Sequence, residues 1–151
     1  IVLMGIAADE PERQEKEFKP YKRFPLIEWK MTEADCLAYS YQQGHEWREH
    51  GANTPSGTVR LYEILDRVSC WCCTNKNLGE LRNIYRYLPE YWDRLKELQR
   101  KTCRPMKGDG KSVFDLETRF KLEDARVAAG LSIRNKDFFR ELSTVLGVAQ
   151  L

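Results

Sequence analysis

The chain has 151 residues and a mass of 17.8 kDa, with 42% hydrophobic and 32% charged residues. That is the size and apolar content of one ordinary globular domain, and it excludes a collagen-like, low-complexity or highly charged disordered chain. The first apolar run, Ile1 to Ala8, is far too short to span a bilayer and has no basic residues before it, so neither a membrane span nor a signal peptide is expected.

Charge is nearly balanced, 25 Lys and Arg against 23 Asp and Glu, but it is unevenly spread. Residues 1–75 carry 9 basic and 12 acidic side chains, and residues 76–151 carry 16 and 11. The basic excess falls in Lys76–Lys111, with 10 basic and 5 acidic residues. On helices such a stretch is either a solvated face or an anion-facing surface. The five cysteines, Cys36, Cys70, Cys72, Cys73 and Cys103, are odd in number, with three inside four residues. This is not the pattern of a secreted disulfide framework, and a reducing cytoplasm is the expected setting.

In chain order, Ile1–Ile6 ends near Gly5 and reads as a short strand buried on both faces. Asp9 to Arg23 reads as a loop or a single solvated helical turn. Phe24-Pro25-Leu26-Ile27-Glu28-Trp29 reads as a second strand, its proline at the start where a missing donor is tolerated. Thr32 is the expected N-cap of a helix, with Asp35 completing a capping box. Ala34, Leu37, Ala38 and Tyr41 form its expected buried stripe, and Gly44 ends it. His45 to Thr58, with Gly51, Pro55 and Gly57, reads as a long exposed loop.

From Leu78 onward the pattern is helical. Leu78, Leu81, Tyr85 and Leu88 share a face, and Pro89 opens a helix carrying Trp92, Leu95 and Leu98. Cys103 to Gly110 is a breaker segment, with Gly108-Asp109-Gly110 a turn. Ser112 caps a helix with Val113, Leu116 and Phe120 that closes at Gly130. Asn135 caps a last one with Phe138, Phe139, Leu142 and Val145 that closes at Gly147. Two strands and about five helices make an α/β chain weighted to helix, with no internal repeat.

Three constellations carry potential chemistry. Cys70-Trp71-Cys72-Cys73 contains a C-x-x-C pair, a spacing that lets one turn aim two thiolates at one ion. Cys70 and Cys73 are favoured over Cys72, because adjacent cysteines bind one ion poorly together. Cys36, Cys103, His45 and His50 are distant candidates to complete a set, and the alternative is a group of buried, inert thiols. Gly110-Lys111-Ser112 ends like a phosphate-binding P-loop, but Pro105 stands where that motif needs Gly and no apolar strand precedes it. Gly5 to Arg13 follows the first expected strand, at the end where open α/β sheets bind ligands. Gly5 allows close backbone approach, Asp9 and Glu10 offer oxygen ligands, and Arg13 can clamp a phosphate or sulfate. The plainer reading of Gly5–Arg13 is a solvated acidic loop.

The segments Gly-Ile-Ala-Ala-Asp-Glu-Pro-Glu-Arg at 5–13, Pro-Leu-Ile-Glu-Trp at 25–29, Met-Thr-Glu-Ala-Asp-Cys-Leu at 31–37 and Arg-Val-Ser-Cys-Trp-Cys-Cys at 67–73 together resemble phosphoadenosine phosphosulfate (PAPS) reductase-like proteins, in the same order. The similarity is greatest to a bacterial and phage-associated branch, and Leu78–Leu95 and Leu116–Leu142 resemble that branch's helical tail. The resemblance implies the C-terminal part of an adenine-nucleotide α-hydrolase-like parallel-sheet fold over 1–73, followed by a helical extension over 74–151. It also implies that the family's Ser-Gly-Gly-x-Asp-Ser type phosphate loop belongs upstream of this chain, leaving the chain alone inactive.

By that resemblance the parent binds an adenine nucleotide, ATP or PAPS, at the upstream loop, and Arg13 is the residue that corresponds to the family's anion-facing loop, beside the candidates Gly5, Asp9 and Glu10 read from this sequence. Arg13, with Lys22 or Arg23, closes over the anionic end, and chemistry occurs at the α-phosphate or attached sulfate. The assimilatory enzymes' nucleophilic Cys in a Glu-Cys-Gly-x-His motif has no counterpart, since residues 104–151 contain no cysteine. Members of the branch also carry a second Cys one helical turn after the Cys36 position, where this chain has Ser40. A rival expectation is a sulfur-transfer protein with ATP pyrophosphatase chemistry, its zinc or iron–sulfur cluster on Cys70, Cys73 and Cys36, with Cys72 as a substitute ligand. A third is a non-catalytic, metal-stabilised interaction domain whose basic helices meet a protein or nucleic acid through Arg82, Tyr85, Arg86 and Trp92.

Overall fold

In the computed structural model, which describes residues 1–66, 68–108 and 110–147, the chain is α/β and weighted to helix. It divides into two compact units, Ile1–Glu46 and Trp47–Leu151. Among the described residues no helix is long and apolar enough to cross a membrane.

The first unit is built on a β-α-β arrangement. Strand β1 (Val2–Leu3) pairs in parallel with β2 (Lys22–Arg23), and helix α1 (Pro11–Glu17) lies between them in the chain. Val2 N–H donates to the Tyr21 carbonyl and Met4 N–H to that of Arg23, each at 2.9 Å. The strand expected over Ile1–Ile6 is therefore shorter, and Val2 and Leu3 are exposed rather than buried on both faces. Its end, Ile6 and Ala7, is buried as loop rather than strand. The stretch at 9–23, expected as a loop or a single solvated helical turn, holds about two solvated turns, opened by Pro11 at a position where a missing N–H costs nothing.

The expected strand at 24–29 is likewise a correction. Pro25–Glu28 forms the one-turn helix α2, with Glu28 N–H donating to Phe24 O and Trp29 N–H to Pro25 O. The same fixed φ that suits an edge strand also opens a helix. Arg23 then grips Glu28 with two nitrogens, at 3.0 and 2.5 Å.

Helix α3 (Glu33–Gln42) starts as the sequence predicts. Thr32 Oγ1 accepts from Asp35 N–H at 3.1 Å, and the Asp35 carboxylate accepts from Thr32 N–H at 3.0 Å. Gly44, at φ +79°, ends it. The buried stripe is corrected: Ala34 and Ala38 are exposed, Leu37 and Tyr41 half-buried, and no residue of α3 is fully buried.

The second unit begins with a hairpin where an exposed loop was expected. Strand β3 (Arg48–His50) pairs antiparallel with β4 (Thr58–Arg60), with Glu49 opposite Val59. Helix α4 (Leu61–Ile64) continues directly from β4. The residues that read as loop form the turn, and the turn caps a helix. Ala52 N–H donates to Tyr87 O at 2.9 Å and Asn53 Nδ2 to Arg86 O at 2.8 Å, satisfying carbonyls at the end of α5 (Leu78–Tyr87). Gly51 allows this approach, because a Cβ there would meet Tyr87 O and Val59 Cγ1 at 3.1 Å.

Helices α5, α6 (Pro89–Lys101), α7 (Val113–Ala128) and α8 (Lys136–Leu146) form where the periodicity predicts, but Leu98 of α6 and Phe139 and Val145 of α8 are exposed rather than inside. Asn77 with Glu80 and Ser112 with Asp115 form reciprocal capping boxes, and Asn135 caps α8. Gly108 and Gly110 both have positive φ, and Lys111 N–H donates to Gly108 O. Asp109 of that expected turn, like Arg67, lies outside the described residues.

Val59, Leu61, Ile64 and Leu65 join Leu81, Ile84, Leu88, Trp92, Leu95, Val113, Leu116 and Phe120 in one core. Tyr85, Trp92 and Phe120 meet there with ring centroids 5.5 to 5.8 Å apart.

Beside this aromatic junction runs a seam of charge. Glu123 of α7, 1% exposed, accepts from Arg82 Nε at 2.6 Å and from Arg119 Nε at 2.8 Å. Arg86 pairs with Asp124, and Arg126 of α7 with Glu141 of α8. Glu117 takes the Trp92 indole N–H at 3.1 Å and pairs with Lys96 and Lys121.

Phe120 is fully buried, so Phe120→Ala is expected to cost about 3–5 kcal/mol in urea denaturation; a change within about 0.5 kcal/mol contradicts this packing. Burial alone would raise the Glu117 carboxyl, but hydrogen bonds from Lys121 and Trp92 and the charge of Lys96 hold it below its ordinary 4.5. Its stabilisation is complete above that value and drains away as pH falls through the lower folded one. Glu117→Gln should accordingly be less stable than the parent at pH 7, with the gap narrowing on acidification below 4.5. A gap unchanged between pH 7 and pH 3 contradicts this coupling.

Candidate functional site

The loop after β1 places its candidate residues differently from one another. Gly5 is exposed, with open space where a Cβ would stand. Ala8 N–H donates to Met31 O at 2.8 Å, tying the loop to the entry of α3. Asp9 Oδ1 accepts from Glu33 N–H at 3.1 Å, so its carboxylate serves an otherwise unsatisfied N–H in the first turn of α3. Glu10 pairs with Arg13 at 2.6 Å, and the Arg13 side chain is 56% exposed. The bond and charge from Glu10 raise the guanidinium's hold on its proton.

Lys22 and Arg23 are likewise spoken for, by Glu17 at 2.6 Å and Glu28 at 2.5 Å. Each of these three cations has a local carboxylate. An anion arriving here displaces or shares that partner. Exposed pairs of this kind are worth only about 0–1 kcal/mol, so the exchange is cheap. The sequence reading found the cations and missed their partners, although Glu10–Arg13 at i,i+3 on a helix start is a legible signal.

The cysteine motif is a tight turn in the second unit. Cys73 N–H donates to Cys70 O at 3.0 Å, and Lys76 N–H to Cys73 O at 3.3 Å. Lys76, 2% exposed, turns back so that Nζ donates to Ser69 Oγ at 2.9 Å. Its side chain and backbone thus clasp both flanks of the turn, a role that sequence reasoning missed. Trp71 and Cys72 pack against the core, and the Arg94 guanidinium sits 4.4 Å from the Trp71 ring centre. Cys72 also lines a cleft of about 190 Å³ with Leu95, Met106 and Val113. Cys70 is exposed and Cys73 half-buried.

Cys36 lies in α3 of the first unit. Burial pushes its thiol up, and the carboxylates of Asp35, Asp9 and Glu33 push it further, which disfavours the thiolate a metal requires. Among the described residues no group of three or more His, Cys, Asp or Glu side chains is gathered to hold a metal ion. A closed zinc or iron–sulfur site takes about four ligands. Within the second unit the turn offers the Cys70–Cys73 pair, which is fewer than the ligands such a centre takes.

The basic helices also find their partners. Arg82 and Arg86 are bound to Glu123 and Asp124, Trp92 is buried, and Tyr85 packs on Trp92 and Phe120. Arg100 lies over Phe114 and Lys107 Nζ donates to Thr74 O. Arg82, Tyr85, Arg86 and Trp92 are thus engaged within the helical unit.

No protein-family model, curated protein or solved structure matches the chain.

Competitive alkylation with iodoacetamide at pH 7, read by peptide mass spectrometry, is expected to label exposed Cys70 and Cys103 several-fold faster than Cys36, whose rate climbs as pH passes the ordinary thiol range. Cys36 reacting first contradicts the environment described for it.

Proposed function

We propose that the chain is the C-terminal portion of a PAPS reductase-like protein that binds an adenine nucleotide and acts at its α-phosphate or attached sulfate. The structural observation in support is the β1–α1–β2 unit. Two parallel strands with a helix between them are the repeating element of open α/β sheets, and such sheets take ligands just beyond the carboxyl ends of their strands. Gly5 to Arg13 occupies that place after β1.

In this reading the roles within the loop are distinct. Gly5 leaves room for the ligand to approach the backbone. Asp9 holds the loop against α3 and is a positioning residue rather than a ligand. Arg13, on the first turn of α1 and largely in solvent, exchanges Glu10 for a phosphate or sulfate oxygen. The planar guanidinium offers two parallel donors, a match for an oxyanion that lysine lacks. Glu10 then acts as a placeholder that keeps the cation oriented while the nucleotide is away. The fixed positive charge stabilises negative charge that develops on the anionic end during transfer.

The test is calorimetric titration of PAPS and of ATP into the full-length protein that carries this chain. Saturable binding of at least one is expected. Arg13→Ala should weaken it about tenfold to a hundredfold, the size of one lost charge-assisted bond, and Arg13→Lys should recover only part. Saturable binding of neither nucleotide, or an Arg13→Ala variant with unchanged affinity, overturns the reading.

A further inference from the structure

We propose that Cys70 and Cys73 form a redox-active dithiol, a modification site that exchanges with low-molecular-weight disulfides of the glutathione class and closes to an intramolecular disulfide. The inference stands apart from nucleotide binding and rests on how the structure sorts three neighbouring thiols.

The turn supplies the reach. A four-residue turn closed by the bond from Cys73 N–H to Cys70 O holds its first and last Cα atoms within about 7 Å. Disulfides join residues whose Cα atoms stand about 4.4–6.8 Å apart. The turn thus holds residues 70 and 73 close to the range that a disulfide spans. Lys76 stiffens the arrangement, binding the Cys73 carbonyl through its N–H and Ser69 Oγ through Nζ while itself nearly fully buried.

Packing then removes the competitor. Cys72 lies against the core and the Leu95–Met106–Val113 cleft, and its neighbour Trp71 is held there under Arg94. Bridging through Cys72 would pull that side chain out of its apolar contacts, and a bond between adjacent Cys72 and Cys73 adds ring strain. Cys70 is exposed, whereas Cys72 and Cys73 are both half-buried and Cys72 alone is packed against the core; this assigns the order of events, Cys70 meeting the reagent and Cys73 resolving.

The chemistry balances without a metal. The Cys70 thiolate attacks one sulfur of R–S–S–R, forming Cys70–S–S–R and releasing one R–S⁻. The Cys73 thiolate attacks the Cys70 sulfur, forming the Cys70–Cys73 bond and releasing the second R–S⁻. The two protein thiols lose two electrons and two protons, and the small disulfide takes them up as two R–SH.

The experiment incubates the reduced 151-residue chain with glutathione disulfide and a chelator, then quenches with acid and maps disulfides by peptide mass spectrometry. The expected product has lost two hydrogens, carries a Cys70–Cys73 link and leaves Cys72 free, and dithiothreitol reverses it. In Cys73→Ser the reaction is expected to stop at a lasting glutathione adduct on Cys70. A Cys70–Cys72 or Cys72–Cys73 link, a lasting adduct on Cys70 of the parent chain, or no reaction within the motif would each overturn the proposal. The parent chain alone decides among these outcomes, so a variant that fails to fold leaves the test intact.

Discussion

The helical unit turns on one buried carboxylate. Glu123 sits at the contact of α5 and α7 with two arginines on its oxygens, Arg82 from one helix and Arg119 from its own. A lone carboxylate at 1% exposure would be expensive to keep charged. Two charge-assisted bonds of 2.6 and 2.8 Å make it tolerable. Because Arg82 and Arg119 are about a quarter exposed, solvent screens part of their charge, and the clamp carries specificity as well as stability. It sets the register of α7 on α5: any slide of one helix along the other separates the carboxylate from Arg82. The Tyr85–Trp92–Phe120 junction is built beside it, with the Arg82 guanidinium 5.7 Å from the Phe120 ring centre.

The same seam takes up part of the basic excess. Arg82, Arg86 and Lys96 are matched by Glu123, Asp124 and Glu117, all on α7. Between α5 or α6 and α7 these three pairs make a charge complementarity between helices. Around this seam the core extends to Trp71 and Cys72, which is how a helix-packing arrangement fixes a cysteine turn. The same packing that stabilises the helices holds the half-buried Cys72 against the core.

Legibility differed by the kind of signal. Helix starts were plain in the sequence because capping is local: Thr32 with Asp35 and Ser112 with Asp115 need nothing beyond three residues. The stripes of α5 to α7 were also plain, since Leu81, Trp92 and Phe120 face a core large enough to bury them. The stripe of α3 was not fulfilled, because burial is a property of neighbours and Ala34 and Ala38 have none that cover them. Phe24–Trp29 misled because a proline before apolar residues opens a helix as readily as an edge strand. His45–Thr58 misled because its turn residues outnumber β3 and the first residue of β4. At the site, the loop residues and the C-x-x-C pair were visible by spacing. The carboxylates on Arg13, Lys22 and Arg23, and the clasp made by Lys76, depend on tertiary approach or on pairings that composition does not single out.

The most direct measurement of the account is a double-mutant cycle in urea between Arg82→Met and Glu123→Leu. The clamp predicts that each single change destabilises the chain, Glu123→Leu by leaving two arginines without their shared partner. It predicts a coupling of about 1–3 kcal/mol between the sites, so that the double variant is more stable than the sum of the singles allows. Additive effects within about 0.3 kcal/mol would contradict it, and with it the claim that the basic helices are held by α7.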